Sequence, residues 1–179
     1  VSIDQFRVGT DPGAAEAAEL AAARAQEQAE ASKRQGDALL LDLALVSGAR
    51  SEDIIIDRDR RRVIVDAQRI PGASLETYRA LERRVTVDYA NWQVRMRPPA
   101  LPLPDVTFDG NTPDPAALAL IVWAGARVAA PIELSGQSGN ADAVRDALAE
   151  DGFTNIVIGR GSGDTVTARW AAPDRTPAR

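Results

Sequence analysis

Hydrophobic and polar positions divide the chain into stretches of different period. Residues 1–8 alternate loosely, with Val1, Ile3, Phe6 and Val8 between polar neighbours, and predict a strand. Gly9, Thr10, Asp11 and Pro12 break it, with Thr10 or Asp11 as N-cap and Pro12 at the first helical position. Residues 13–47 are helical in composition. Ala14, Ala18, Ala21, Ala25 and Ala29 lie on one narrow, weakly burying face suited to helix–helix contact. A break is expected at Gly36 and Asp37. Beyond it Leu39, Leu40, Leu43 and Val46 form a strong core face. An uninterrupted helix here would be about 50 Å long at 1.5 Å per residue.

Next come a short strand over 54–57, a polar turn from Asp57 to Arg60, and a second strand over 61–69 carrying Val63 and Val65. Ser74 is placed as N-cap of a helix reaching about Val85, with Leu75, Tyr78, Leu81 and Val85 on one face. Residues 92–96 alternate as a strand that Pro98 and Pro99 end. Counted from the leucine-rich helix, the order is α-β-β-α-β. Residues 98–104 hold four prolines and read as a semi-rigid linker at a domain boundary. Beyond it the pattern predicts strands over 106–109, 132–134, 156–158 and 165–170, with helices over 115–129 and 141–149. The first of these helices would bury Leu118, Ile121, Val122 and Val128. The last two strands are expected to pair across a turn at 159–164. This order is β-α-β-α-β-β.

The predicted fold class is therefore α+β: a long N-terminal helix followed by two small modules. The expected domains are 1–36 (strand and Ala-rich helix), 37–97 (first module), 98–104 (linker), 105–170 (second module) and 171–179 (a frayed tail).

Composition narrows the chemistry. The 179 residues include no histidine and no cysteine, so the usual neutral-pH base, the thiolate nucleophile and every Cys/His metal pattern are excluded. Carboxylates, hydroxyls, 20 arginines and the single lysine Lys33 remain. Hydrophobic residues make up 45% but aromatics only 4%, so the core must be aliphatic and stacking platforms for bases or sugars are not expected. No apolar run approaches the roughly 18 to 20 residues of a membrane span. Net charge is -5, unevenly spread. Residues 50–100 carry 11 arginines against 8 acids, whereas each flank has an excess of four acids. That pattern suits contact between modules or subunits, and acidic flanks disfavour nucleic acid. No signal peptide is visible and the chain opens on Val1, so it is expected to belong to something longer.

Each candidate site has a plainer reading beside it. The stretch Gly159-Arg160-Gly161-Ser162-Gly163-Asp164 could cradle a phosphate, but a phosphate loop should open a helix, and a strand is predicted next. It reads as a hairpin turn. Arg58, Arg60, Arg61 and Arg62 on the first hairpin tip read as a solvated turn or as a docking surface for an acidic neighbour. The pairs Asp105/Asp109, Asp142/Asp146 and Glu150/Asp151 read as surface solubility, and Ser135 and Ser138 have no candidate base. No catalytic residue, metal site or cofactor is expected. The Ala-rich helix reads equally as an oligomerisation element and as a solvent-spanning spacer.

In element order, and in the spacing of Val63-Ile64-Val65 before the Ser74 helix, residues 37–97 resemble the BON domain. That is a small bacterial envelope module associated with membrane or lipid attachment. Residues 105–161 resemble a shortened member of the OmpA-like family, a peptidoglycan-binding fold. This likeness runs through Val106-Thr107-Phe108-Asp109, Pro131-Ile132-Glu133-Leu134-Ser135-Gly136, Ala143-Val144-Arg145-Asp146-Ala147-Leu148 and Gly152. In that family an aspartate after the strand and an arginine near the next helix start clasp the diaminopimelate of the wall peptide. Here Gly139 stands where the aspartate belongs, and the arginine aligns best near Asn140. The resemblance thus implies the fold with an altered ligand site, made of Ser135, Gln137, Ser138, Asn140 and Arg145. Over the whole chain, Ile3–Asp11, the Ala-rich helix and Ile70-Pro71-Gly72-Ala73-Ser74-Leu75 resemble the soluble C-terminal extension of a multipass bacterial membrane protein, in a hydrophobic-domain family of unknown function.

Together these readings predict a non-catalytic interaction or assembly module of a bacterial membrane or envelope protein. Its partner would be a second copy or another envelope protein. It would sit at the inner membrane, on the periplasmic side, attached through regions outside this chain. The alternative is a peptidoglycan- or lipid-surface binder using Arg145 and the loop from Ser135 to Gly139.

Overall fold

The computed structural model describes residues 12–172; the expected strand over 1–8, its cap and the tail from 173 lie outside the described residues. The fold is α+β. Contacts divide the chain into two compact units, Val1–Leu40 and Leu41–Arg179.

Helix α1, Pro12–Ser47, is continuous over 36 residues, so the break expected at Gly36 and Asp37 does not occur. A single glycine costs a helix interior only about 1 kcal/mol relative to alanine. The strong helix formers on both sides outweigh that. In the first unit, residues 12–31 of this helix are exposed without exception.

The unit Leu41–Arg179 begins with the last turns of α1, where Leu43 and Ser47 are buried. Gly48, at φ 64°, ends the helix in the left-handed conformation that glycine adopts without strain. Strands β1 (Ile54–Asp57) and β2 (Arg62–Asp66) form an antiparallel hairpin. Helix α2 (Leu75–Asp88) then returns the chain to β3 (Gln93–Arg97), which lies parallel to β2. The sheet order is β1-β2-β3. Strand alternation buries Val63, Val65, Val94 and Met96 on one face. Ser74 is the N-cap of α2, its backbone N–H donating to Thr77 Oγ1 at 3.1 Å. The buried face of α2 is Leu75, Tyr78, Glu82 and Val85; Leu81, expected in the core, is only half-buried. Tyr78 has its hydroxyl satisfied twice, donating to Gln68 O at 2.6 Å and accepting from Ile70 N–H at 2.8 Å.

The proline-rich stretch leads from β3 toward the second sheet, and it also fills core. Leu101 and Leu103 are buried. Strand β4 (Phe108–Asp109) turns through Gly110 into β5 (Thr112–Pro113). The expected 106–109 strand is thereby split, because Val106 pairs separately with Val166. Helix α3 (Pro115–Gly125) is capped by Asp114, which accepts from Ala116 N–H at 3.0 Å. It ends earlier than expected, at a glycine. Its buried residues are Ala117, Ile121 and Ala124, while Leu118, Val122 and Val128 are only half-buried.

Strand β6 (Ile132–Ser135), helix α4 (Ser138–Glu150) and strand β7 (Ile156–Ile158) make a parallel crossover unit. Strand β8 (Thr167–Trp170) pairs antiparallel with β6, giving the order β7-β6-β8. The hairpin expected between the last two strands is therefore absent, and residues 159–164 cross over the end of β6 instead. Burial explains the choice. Ile132 and Leu134 of β6 are 0% exposed and need a neighbour on both sides, whereas Val157 and Ile158 of β7 remain 49% and 40% exposed at the edge.

Candidate functional site

The residues expected to form a ligand site fall into two places. Ser135, Gln137, Ser138 and Asn140 gather where β6 enters α4. That helix begins at Ser138 rather than Ala141, with Gln137 as its N-cap. The first turn of a helix presents unpaired N–H groups suited to an anion. Here the chain's own crossing loop takes that position. Gln137 N–H donates to Gly163 O at 2.8 Å, and Asn140 Nδ2 donates to Asp164 O at 2.8 Å. The glycines in this loop have a steric reason. A Cβ on Gly161 would lie 2.5 Å from Gly136 N, and one on Gly159 would lie 2.5 Å from Ser135 Oγ. The loop singled out as a phosphate cradle or hairpin turn is thus a lid over the β6–α4 junction. Ser135 Oγ donates to Glu133 Oε1 at 3.3 Å, and Ser138 is exposed.

Arg145 stands apart. Seven residues beyond Ser138, it is about 10 Å farther along the helix axis. Its guanidinium is bracketed by Asp142 at 2.9 Å and Asp146 at 3.1 Å on the same helix. Two carboxylates around one guanidinium leave little field for an anionic ligand. The structure does not bring Arg145 to the loop.

Arg58, Arg60, Arg61 and Arg62 lie on the β1–β2 turn and are all exposed. Arg60 N–H donates to Asp57 Oδ1 at 3.0 Å and closes the turn, and Arg61 takes φ 50°. Arg62 Nε donates to Gln93 Oε1 at 2.9 Å across to β3. The arginines fan outward from a well-formed hairpin.

Sequence reasoning missed Glu82. Its Oε2 accepts from Met96 N–H at 2.7 Å and from Arg127 Nε at 2.9 Å. Its Oε1 accepts from Arg127 Nη2 at 2.6 Å and from Trp123 Nε1 at 3.1 Å. Arg127 also donates to Trp123 O and stacks over the Trp123 ring, 4.6 Å from its centroid. Arg95 donates to Ala126 O close by. This cluster uses up the carboxylate's acceptor capacity and clamps α2 and β3 to α3. Its geometry is that of a structural fastener. A signal was present in the sequence: 75, 78, 82 and 85 follow a helical 3-4-3 spacing, which puts a glutamate on the buried face.

Among the described residues, no group of three or more acidic side chains is placed to hold a metal ion, and no helix is long and apolar enough to cross a membrane. No protein-family model, curated protein or solved structure matches this chain.

Proposed function

We propose that this chain is a non-catalytic interaction and assembly module of a bacterial envelope or membrane protein, and that it self-associates through α1. The observation that carries the reading is the unbroken exposure of residues 12–31. Along that stretch Ala14, Ala18, Ala21 and Ala25 recur at intervals of four, three and four. That is the seam interval of a coiled coil, and small side chains on it let two helix backbones approach closely. Helices in water draw most of their stability from tertiary packing rather than propensity. A partner helix would supply it here. Leu41 and Leu45, 65% and 75% exposed and one turn apart, leave a further apolar surface uncovered. The envelope assignment draws on the α-β-β-α-β order of α1, β1, β2, α2 and β3, which follows that of the BON module, and on a second module that differs from the OmpA-like β-α-β-α-β-β order by the split of its first strand into the β4–β5 hairpin. Assembly without catalysis agrees with a chain lacking histidine and cysteine.

Sedimentation equilibrium tests the reading. The protein should associate in the tens of micromolar range or below, and Ala18→Glu with Ala25→Glu should return it to monomer with its helix content unchanged by circular dichroism. A chain that stays monomeric up to several hundred micromolar is not an assembly module of this kind.

A further inference from the structure

We infer that the open face of the β1-β2-β3 sheet carries a site for a small organic dianion, two carboxylates joined by a short apolar chain. The site is a cleft of about 420 Å³ over β2 and β3, lined by Arg62, Ile64, Gln93, Arg95 and Arg127. Small-ligand sites typically run from about 300 to 1,000 Å³.

Strand register builds the floor. In the parallel β2–β3 ladder Arg62 is the partner of Gln93, and Ile64 the partner of Arg95. The intervening Val63, Val65, Val94 and Met96 are buried, so alternation puts Arg62, Ile64, Gln93 and Arg95 together on the opposite face. The two arginines occupy one diagonal of a four-residue square, and Ile64 and Gln93 the other. With strands about 4.8 Å apart and a rise of about 3.3 Å per residue, the arginine Cα atoms stand about 8 Å apart.

Each of these guanidiniums is steered by a neutral acceptor. Arg62 Nε donates to Gln93 Oε1 at 2.9 Å, and Arg95 Nη2 donates to Ala126 O in the turn after α3. A guanidinium has five N–H donors, so most of each fork stays available to a ligand. The acids nearest in register are engaged elsewhere. Asp57, across from Arg62, accepts from Arg60 N–H at 3.0 Å, and Asp66 pairs with Arg97 at 2.7 Å. Arg127, on a further wall, spends its charge on Glu82. No carboxylate lines the cleft, so two positive charges there are left unmatched.

Charge count and spacing choose the ligand. Two unmatched guanidiniums call for a dianion, and each can take one carboxylate through paired N–H···O bonds. Their separation, with half-buried Ile64 beside both, favours two carboxylates spaced by methylene groups over one compact phosphate. Like charges held this close repel, so a bound dianion also stabilises the fold. No α1 residue lines the cleft, and the inference does not depend on self-association.

Calorimetric titration of the full chain at low ionic strength tests it, with adipate as the probe. Monomethyl adipate, of similar length but with one charge, and inorganic phosphate are the controls. Adipate should bind about tenfold more tightly than either control, a difference of about 1.4 kcal/mol. In proton–nitrogen correlation spectra it should shift the Ile64 and Arg95 amides and the Gln93 side-chain amide. Arg62→Gln and Arg95→Gln, both at exposed positions where glutamine keeps the fold, should each erase the preference for adipate over its monoester. Arg60→Gln, outside the cleft, should leave that preference intact. No binding, equal affinity for adipate and its monoester, phosphate bound as tightly as adipate, or a preference that survives in either cleft variant overturns the inference. So do shifts confined to the Arg58–Arg61 turn.

Discussion

Glu82 and Arg127 meet in a two-point ion pair, Nη2 to Oε1 at 2.6 Å and Nε to Oε2 at 2.9 Å, with side chains only 10% and 17% exposed. They belong to α2 and to the turn after α3, so the pair fastens the first sheet's helix to the second sheet's. A buried pair of this kind is stable only when the remaining donors and acceptors are also matched. Trp123 and Met96 provide that match here.

Removing one partner should therefore cost more than removing both. Glu82→Ala leaves the Arg127 guanidinium and the Met96 N–H without an acceptor, and is expected to lower unfolding free energy by about 3–5 kcal/mol. Glu82→Leu combined with Arg127→Leu should recover much of that loss, because no charge is left uncompensated. The check is a double-mutant cycle in urea, with a coupling energy of at least about 1 kcal/mol expected. Additive losses would mean that the two side chains do not act as a pair.

Gly125 closes α3 directly against a buried ring. A Cβ there would lie 2.6 Å from Phe153 Cε2 and 2.8 Å from Cζ, and Phe153 is 8% exposed. Two effects oppose each other in Gly125→Ala. Helix propensity contributes at most about 1 kcal/mol in favour. Overpacking a filled core costs about 1–3 kcal/mol. The net change should be destabilising in the native background and should vanish or reverse when Phe153→Leu makes room. Melting temperatures of the two single variants and the double decide it, and a Gly125→Ala protein more stable than the parent refutes the tight contact.

Local chemistry was legible wherever a local rule governed it. Ser74 caps its helix, the Asp57–Arg62 region folds back as a hairpin, and the α2 stripe of Leu75, Tyr78 and Val85 is buried. The errors arose where a non-local partner decided the outcome. Leu81 is expected on the buried face from its hydropathy, yet Glu82 takes that place once Arg127 and Trp123 arrive from a distant segment to satisfy the carboxylate. The glycine-rich 159–164 stretch has a hairpin's composition. Its glycines serve instead the close crossing over Gly136, which depends on β8 choosing β6 over β7. Gly36 looked like a boundary because glycine is a poor helix residue, but one such residue cannot offset so long a helical run. Residues 98–104 read in sequence as a stiff linker, yet Leu101 and Leu103 within them are buried, because the prolines lead them against the second sheet's core. Of the expected ligand residues, Ser135, Gln137, Ser138 and Asn140 do share one junction, and Arg145 was misjoined to them because proximity in sequence conceals two turns of helix.

Tyr89, the C-cap residue of α2, carries a pH dependence whose sign follows from its surroundings. Burial raises its phenol above the usual value near 10, and the negative charge and hydrogen bond of Asp42, with the charge of Asp88, push the same way. All of these disfavour the phenolate in the folded protein, which therefore holds the proton more tightly than the unfolded chain. The stabilisation is fully present below the unfolded value and is lost as pH rises through the folded one. Tyr89→Phe should accordingly flatten the alkaline fall in stability that begins above about pH 10. Asp42→Asn should bring the titration of Tyr89 down toward the ordinary range. Carbon-13 NMR of labelled tyrosine follows the ring directly, and urea unfolding across alkaline pH follows the linkage. A Tyr89 that titrates at or below the unfolded value, or an alkaline limb unchanged in Tyr89→Phe, contradicts the assignment.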